Sequence, residues 1–506
     1  MNFKSILTFT SSVILALTLL VSCSDDDNGS SDANPPSLTA PESSTNPNLI
    51  IGESADLTFN INVPGGYASS SVEATNGTVS ITSEPSVGST SGDVVVNFTA
   101  NTSGAATVTL TVTDEDGMSD DATTAVSISE EANQVVLNSN ITTDTTWETG
   151  KVYILGGRIA VEAGATLTIQ PGVIVKGEAG TGANASALLI ARDATLNANG
   201  TADAPIILTS VADEITPEQV AGGDFASPNL DPDINGLWGG VIVLGNAPIS
   251  AAESPAQIEG IPTSDTNGLY GGDDEGDSSG TITYISIRHG GSNIGEGNEI
   301  NGLTLGGVGT GTTINNVEVV ANQDDGIEWF GGNVSIDGIV IWNSGDDGLD
   351  TDQDWIGTAS NFIIVTPQGG SAFELDGPEG ELNRGCHNFV NGVVYAGGEI
   401  ENLVDFDDNT NAGLTDVYFY GFSDTYMATE DFSPVASFGG DGNCESANWE
   451  YTLAEGGAPV DEIFTGVPAE ALTEVAVNGN SVGPDASNFG WTWAAQSDVG
   501  LESIGL

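Results

Sequence analysis

The sequence predicts an all-β protein in which an antiparallel β-sandwich precedes a right-handed parallel β-helix. The chain has 67 glycines among 506 residues and few amphipathic helical patterns, which favours strands joined by many turns. Short segments of alternating apolar and polar residues fill residues 49–128, as in half-buried antiparallel strands. Beyond residue 131, apolar segments recur at regular steps of about 22 residues, as successive coils of a β-helix do.

Residues 1–22 predict a signal peptide. Lys4 precedes an apolar run from Ile6 to Val21, which is too short and too rich in Ser and Thr for a stable membrane span. The run ends in Leu20-Val21-Ser22-Cys23, which resembles a lipobox, and Ser24-Asp25-Asp26-Asp27 resembles a signal for export to the outer surface. We therefore expect lipidation at Cys23 and a location on the cell outer membrane facing the exterior. The alternative is an ordinary signal peptide with an incidental cysteine.

Two segments with different compositions follow the signal peptide. Residues 23–48 are rich in Ser, Asp, Asn and Pro, which predicts a flexible acidic tether. Residues 49–130 alternate as short strands separated by turn signals such as Asn76-Gly77, which predicts one Ig-like β-sandwich. The segment from Val108 to Gly117 resembles the closing strands of Ig-like and PKD-like modules, which usually act as spacers.

Residues 131–432 predict the β-helix, because five segments can be aligned on their apolar positions. Most of their steps are about 22–24 residues long, which suits one coil each. The step from Phe362 to Val393 is longer and predicts a loop insertion between Thr366 and Phe389. The Asn residues before the strands are expected to stack in ladders. The aligned fourth positions are Val317, Ile339, Phe362, Val393 and Val417.

Beyond residue 432 the repeat fades. The segment from Pro468 to Leu472 and the sequence Gly490-Trp491-Thr492-Trp493 predict an irregular structure with a helical turn. The end of a β-helix exposes unpaired strand edges, which a covering segment protects from aggregation. Residues 433–506 are therefore expected to form a C-terminal cap.

The charge of the chain narrows its possible partners. There are 72 acidic residues against 7 basic ones, a formal net charge of −65. Such a surface repels nucleic acid and anionic lipid headgroups, which are bound by Lys and Arg. Two interpretations remain open and are compatible: the acidic surface keeps an exported protein soluble, or it binds divalent cations.

Acidic turns in successive coils form the candidate metal site. The runs Asp324–Glu328 and Asp346–Asp350 are one coil step apart, and Phe373–Asp376 follows in the next coil. Glu328, Asp350 and Glu374 should then stack about 4.8 Å apart, where like charges repel. Between Arg288 and Arg384 there are 16 acidic residues and no Lys or Arg. Calcium, which takes 6–8 oxygen ligands, could neutralise this ladder; the alternative is solvated turns. The candidate ligands are Asp324, Asp325, Glu328, Asp346, Asp347, Asp350, Asp352, Asp354, Glu374 and Asp376.

Arg288, His289 and Trp355 are the other candidate ligand-binding residues. Trp355 follows an acidic run and is expected to be exposed, whereas packing is favoured for Trp329 and Trp342. The alternative for the Arg288-His289 pair is a structural turn that satisfies backbone or acidic groups.

Cys386 and Cys444 form an even pair in an exported chain, which favours a disulfide. Two unpaired buried thiols are the alternative.

Several motifs support a family resemblance, and the block from Trp147 to about Tyr420 carries them. It resembles a family of surface lipoproteins from Bacteroidetes and marine bacteria. The resemblance implies a pectin-lyase-like β-helix and no particular activity. Some family members bear a transporter label, which this chain contradicts because no other segment is apolar enough to cross a bilayer. The matching segments are Trp238-Gly239-Gly240, Tyr270–Asp274, Arg288–Gly291, Asn298–Thr304 and Asp324–Gly332.

These observations favour a non-enzymatic scaffold on the cell surface, stabilised by calcium, that binds a glycan or an outer-membrane protein. A polysaccharide-active enzyme, either a lyase or a glycoside hydrolase using the acidic face, is the alternative. β-Helix lyases use Lys or Arg as the proton acceptor near calcium. In the second half of this chain, only Arg288 and Arg384 are available for that role. A purely structural spacer is the third hypothesis, against which the long loops weigh.

Overall fold

The computed structural model describes residues 34–43, 46, 49–129, 133–292, 300–365, 369–397, 400–406, 409–427, 432 and 444–506. The predicted signal peptide, Cys23 and much of the predicted tether lie outside the described residues. The chain divides into two compact units, Met1–Glu131 and Ala132–Leu506.

The first unit is a β-sandwich of two four-stranded sheets, ordered β1-β3-β6-β5 and β2-β8-β7-β4. Alternate residues such as Phe59, Val96 and Leu110 are fully buried between the sheets, which explains the alternating pattern. One expectation was wrong: Ser37–Thr39 lies in the predicted flexible tether but pairs with β3, because Leu38 packs against the sandwich core. The strands are β1 Ser37–Thr39, β2 Leu49–Ile50, β3 Ser54–Asn62, β4 Tyr67–Ala74, β5 Gly77–Ser83, β6 Ser91–Ala100, β7 Gly104–Asp114 and β8 Ser119–Ser129.

The second unit is a right-handed parallel β-helix, which confirms the predicted fold class. Its coils form a fifteen-stranded sheet and an eight-stranded sheet, both parallel. The strands are β9 Gln134–Leu137, β10 Thr145–Trp147, β11 Val152–Leu155, β12 Arg158–Val161, β13 Thr166–Ile169, β14 Ile174–Gly177, β15 Ala187–Ile190, β16 Thr195–Asn199, β17 Ile206–Ser210, β18 Val241–Leu244, β19 Ala256–Gln257, β20 Leu269–Tyr270, β21 Gly280–Arg288, β22 Leu303–Gly306, β23 Thr313–Val320, β24 Ile327–Phe330, β25 Ile336–Trp342, β26 Leu349–Asp352, β27 Thr358–Val365, β28 Phe373–Leu375, β29 His387–Tyr395, β30 Val404–Phe406, β31 Ala412–Tyr420, β32 Trp449–Tyr451 and β33 Leu472–Glu474.

Helices are short throughout the described residues. None of the described helices is long and apolar enough to cross a membrane. The α-helices are α1 Pro217–Ala221, α2 Val460–Ile463 and α3 Trp493–Gln496, and the 3-10 helices are Gly182–Asn184, Thr266–Gly268, Ala469–Ala471, Ala486–Phe489 and Leu501–Ile504.

In the later coils, one long strand with a left-handed backbone bend replaces the two short strands of the earlier coils. β16 and β17 pair with the two halves of β21, and Tyr284 between those halves has a φ of 50°. Asn residues suit this conformation because their short polar side chains tolerate it. The predicted ladder is present here, since Asn391 Nδ2 donates to Asn361 Oδ1 at 2.6 Å and Asn448 Nδ2 donates to Asp416 Oδ1 at 2.6 Å.

The predicted register was wrong at one coil. Val393 was expected to stack on Phe362, but Gly392 pairs with Phe362 and Val393 pairs with Ile363. A Cβ built on Gly392 would collide with the ring of Phe362. The glycine therefore leaves room for the ring, and the inserted step is one residue shorter than the apolar pattern suggests.

The predicted boundary at residue 432 does not end the β-helix. β32 and β33 pair in parallel onto β31 and extend the fifteen-stranded sheet. Ile463 at the end of α2 and the adjacent Phe464 belong to the interior core, and the Phe464 ring lies 5.6 Å from that of Phe419. Part of the predicted cap therefore adds another coil, and α2 packs against its core.

The C-terminal segment, residues 475–506, packs along the side of the β-helix. Strands such as Ile339-Val340-Ile341-Trp342 are apolar on both faces, so their outer face also needs a cover. Phe489, Trp493 and Leu501 supply it by packing against Val340 and its outward-facing neighbours. This segment of the predicted cap therefore covers the outer face of the strands, a role that the sequence pattern did not predict.

Candidate metal centre

The eight-stranded sheet places acidic side chains in register on its outer face. In β24 and β26, Ile327, Trp329 and Leu349 point into the core, so the residues between them point outward. Glu328 pairs with Asp350, and Asp350 pairs with Glu374, as the sequence predicted. We call the outward row the acidic ladder; its members are Glu328, Asp350, Glu374 and Asp405.

A second row lies before the ladder, in the turns that lead into the strands. Backbone bonds run from Gly302 N to Asp325 O and from Gly326 N to Asp347 O, so Asp325 and Asp347 stack in consecutive coils. The Asp347 backbone N–H also donates to Asp325 Oδ1 at 2.9 Å. We call the turn row, the adjacent Asp324 and Asp346, and the acidic ladder together the acidic groove.

Four of the groove carboxylates are largely removed from water. Asp325 and Glu328 are each 7 % exposed, Asp347 is 5 % exposed and Asp350 is 8 % exposed. None of the ion pairs formed by the described residues reaches these four side chains. Burying unpaired carboxylates in this way is costly unless they take up protons or bind a cation.

Ligand atoms converge at two places in the groove. One oxygen from each of Asp325, Glu328 and Asp350 lies within 4.8 Å of the others, and all three side chains are buried. A second set comprises Asp324, Asp325 and Asp346 under the same limit, with Asp346 exposed. The ligand atoms of one calcium ion at 2.3–2.6 Å are at most about 5 Å apart, so each set could hold a cation.

Burial and mutual repulsion raise the pKa of the groove carboxyls. Burial is the main cause for Asp325, Glu328 and Asp350, whose pKa values lie well above the ordinary range, and neighbouring carboxylates add to it. Burial, followed by the hydrogen bond with Glu374, raises the pKa of Asp347 to about 8. These shifts favour the protonated form of the groove carboxyls over the charged form.

Two carboxyl pairs share hydrogen bonds across adjacent coils. Glu328 bonds to Asp350; this bond offsets part of the increase that burial causes in the pKa of Glu328, and it adds to the increase that burial causes in the pKa of Asp350. Asp347 bonds to Glu374 in the same way, with the pKa of Asp347 raised. A carboxyl pair of this kind holds one proton between two like charges, and a cation could take its place.

Two loops approach the groove from its sides. Residues 245–279 form an insertion that packs on the outer face through Ile249 and Tyr270, and Tyr270 Oη donates to Gln353 at 2.8 Å. The loop that follows β28 meets this insertion, since Glu379 N donates to Ser250 Oγ at 3.1 Å. Burial, followed by the charge of Glu379, raises the pKa of Asp352 to about 8.

The predicted ligands do not all belong to the groove. Asp354 was proposed as a ligand, but it forms an ion pair with Arg384 Nε at 2.9 Å and is already neutralised. Asp352 lies further along its strand, opposite Phe330 of the preceding coil. Asp376 lies beyond the end of β28 and is half-buried.

Two groove residues were missed from the sequence. Asn301 is 3 % exposed, and its side chain Nδ2 donates to Glu328. Asp405 continues the acidic ladder by pairing with Glu374. Asn301 precedes β22 as Asp325 precedes β24. Aligning the residues that stand two positions before each strand would have found Asn301, whereas a search for acidic residues could not find it.

Trp355 was expected to be exposed, and this was wrong. It is 1 % exposed, stacks on Trp329 with ring centroids 4.4 Å apart, and donates from Nε1 to Val334 O at 2.9 Å. The turn after Asp352 directs the indole into the core. Trp355 is therefore a packing residue and is not available to a ligand at the surface.

Arg288 and His289 are also withdrawn from the surface, as the structural alternative required. Both are fully buried beneath the C-terminal segment, where the Trp493 ring lies 5.0 Å from the Arg288 guanidinium carbon. Arg288 is 3.7 Å from Glu318, whose other oxygen accepts from Ala494 N at 2.9 Å. The pair anchors the C-terminal segment, and its proposed role in ligand binding is corrected.

Cys386 and Cys444 form a disulfide in the structure. Cys386 directly precedes β29. The bond therefore ties the start of this strand to the chain that precedes β32.

The fold and the groove together define a parallel β-helix protein with a carboxylate-rich outer face. Residues 139–412, more than half of the chain, match the model of the pectate-lyase like beta helix domain. The chain belongs to this family. The predicted pectin-lyase-like fold is thereby confirmed, whereas kinship with the Bacteroidetes lipoproteins stays a prediction.

No curated protein matches the chain. Among solved structures, it is similar to a family 28 exopolygalacturonase from Yersinia enterocolitica at 11% identity, with a TM-score of 0.20 over 88% of this chain and 89% of that one. At this TM-score the likeness carries no argument about function.

Proposed function

We propose that this chain is a binding scaffold whose acidic groove takes up a divalent cation, with calcium as the first candidate. The observation that carries the proposal is the convergence of buried Asp325, Glu328 and Asp350 oxygens within 4.8 Å. Calcium binds carboxylate and carbonyl oxygens and tolerates irregular geometry. Its charge would replace the protons that otherwise keep the carboxyl pairs together.

Thermal unfolding of the purified, lipid-free chain during a calcium titration tests this proposal. A cation that binds only the folded state must raise the midpoint as its concentration increases. We expect a saturable rise that is lost in Asp325→Asn and reduced in Asp350→Asn, because Asp325 and Asp350 both contribute oxygens to the buried set. Asp203→Asn, at an exposed carboxylate in the turn between β16 and β17, should behave like the wild type. A rise no larger than that from sodium chloride at equal ionic strength would refute cation binding.

We further propose that the scaffold acts on the exterior of the cell, held by lipid at Cys23, and binds a neutral glycan or an outer-membrane protein. The lipobox-like sequence before Cys23 supports the anchor. The net charge of −65 argues against anionic partners unless a cation bridges them. Incorporation of labelled fatty acid that Cys23→Ala abolishes, together with digestion by protease added to intact cells, tests the location. A chain that remains unlabelled or protected would contradict it.

A polysaccharide-active enzyme is the second candidate, favoured by the bonded pair Glu328 and Asp350. A carboxyl kept protonated near neutral pH is what a general acid for glycoside cleavage requires. Purified chain incubated with neutral and uronic polysaccharides, with and without calcium, should then release reducing ends or unsaturated products. Loss of such products in Glu328→Gln would support the enzyme. Absence of products from every polysaccharide, while calcium still binds, would favour the scaffold.

A further inference from the structure

We infer that the acidic groove holds two cations that share Asp325: an inner ion enclosed by protein oxygens and an outer ion open to solvent. This inference rests on the proposed cation-binding function and adds the number of ions and their separate roles. The ligand oxygens divide into two sets, and the buried amide of Asn301 lies beside one of them.

The inner position has a neutral ligand in addition to its three carboxylates. Asn301 is 3 % exposed, and its Nδ2 donates to Glu328, which brings the amide group up to the inner set. Among the described residues, Asn301 Oδ1 has no hydrogen-bond partner. A buried amide oxygen without a partner is costly, and amide carbonyls are ordinary calcium ligands. Asn301, Asp325, Glu328 and Asp350 come from three successive coils, so the inner ion would bind those coils together.

The outer position lies in the turns and differs in exposure. Asp324 is half-buried and Asp346 is exposed, while Asp325 belongs to both sets. An ion held by three carboxylates on one side keeps several coordination positions for water or for oxygens from a partner. The outer ion is therefore the one that a glycan hydroxyl or a protein carboxylate could reach.

Charge favours two ions over one. The two sets contain five different carboxylates, and a single divalent ion would leave most of their negative charge in the groove. Two divalent ions nearly balance it. The sets share only Asp325, so neither Asp346 nor Asp324 is grouped with Glu328 and Asp350.

Equilibrium dialysis of the full chain against calcium, with the bound metal measured by atomic emission, tests the inference. We expect two ions per chain in the wild type, one in Asp346→Asn and one in Asp350→Asn. Asp325→Asn should bind none, and Asp203→Asn should keep both. The remaining ion in Asp346→Asn should still raise the unfolding midpoint, because the inner ion joins three coils. Asn301→Ala should weaken the inner ion by roughly tenfold or more.

The outcomes separate this inference from the function on which it rests. One ion per chain, lost equally in Asp346→Asn and Asp350→Asn, would overturn the two-ion arrangement and leave cation binding in place. No bound ion in the wild type would overturn both. Circular dichroism of each variant in chelator verifies its folding, and Asp346→Asn, at an exposed turn position, supplies the comparison if a buried variant fails to fold.

Discussion

At the residue scale, the acidic groove places like charges next to one another at a cost in stability. Carboxylates facing each other in adjacent strands destabilise a sheet, and here Glu328 and Asp350 are also buried. The stacking could be predicted from the one-coil spacing of the two acidic runs. Asn301 could be found only by aligning the turn positions, because a neutral residue gives no signal in a charge pattern.

Asp350→Asn should have opposite effects with and without calcium. In chelator at neutral pH the amide removes one of two repelling groups and can donate to Glu328, so the free energy of unfolding should rise by about 1 kcal/mol. In saturating calcium the variant should be less stable than the wild type, since it has lost a ligand. Chemical denaturation in both buffers measures the two differences. A loss of stability in chelator as well would contradict the repulsion on which the argument depends.

The pH dependence of stability follows from the raised pKa values. Asp347 and Asp352 each have a pKa of about 8 in the folded protein, compared with 3.8 ordinarily. The folded chain therefore binds more protons than the unfolded chain between pH 4 and 8, so these groups make stability fall as the pH rises through that window. Unfolding midpoints in chelator should decline across the window.

Calcium should flatten the decline, because the ion replaces the protons. Asp347→Asn should reduce the decline in chelator, whereas Asp203→Asn should leave it unchanged. A midpoint that rises from pH 4 to 8 in chelator would show that the groove carboxyls are ionised and solvated in the metal-free protein.

At the element scale, the coil repeat could be predicted from apolar spacing, but its register at the inserted coil could not. Val393 fits the apolar pattern as well as any residue, yet Gly392 stacks on Phe362. The deciding factor is the volume of the phenylalanine ring, which is visible only once two coils are brought together. The packing surface of the C-terminal segment could not be predicted for a related reason: a strand that is apolar on both faces needs a cover, and the sequence does not say which segment supplies it.

Gly392→Ala should therefore destabilise the β-helix strongly. Its Cβ would collide with the Phe362 ring, and overpacking of this kind costs about 1–3 kcal/mol. Gly157→Ala is the matched control, because a Cβ there meets no atom within 4 Å. Thermal unfolding of the two variants measures the difference. Equal stability would mean that Val393, and not Gly392, occupies the stacking position.

At the scale of the whole molecule, charge and fold have separate consequences. The fold arises from a continuous apolar interior that successive coils build together. The net charge of −65 acts over the whole surface and disfavours the compact state through self-repulsion. Family membership could be anticipated from glycine-rich motifs distributed over half the chain, whereas the division of acidic residues between surface and groove depends on how the coils stack in the folded structure.

Salt should separate these two contributions. Sodium chloride screens exposed charges over a Debye length of about 8 Å at physiological ionic strength and screens buried groups much less. The unfolding midpoint should thus rise gradually with sodium chloride in both the wild type and Asp350→Asn. Calcium chloride at equal ionic strength should add a saturable rise that is larger in the wild type than in Asp350→Asn. If the two salts gave the same curve for both proteins, the stabilisation would come from the whole acidic surface and the groove would contribute no specific site.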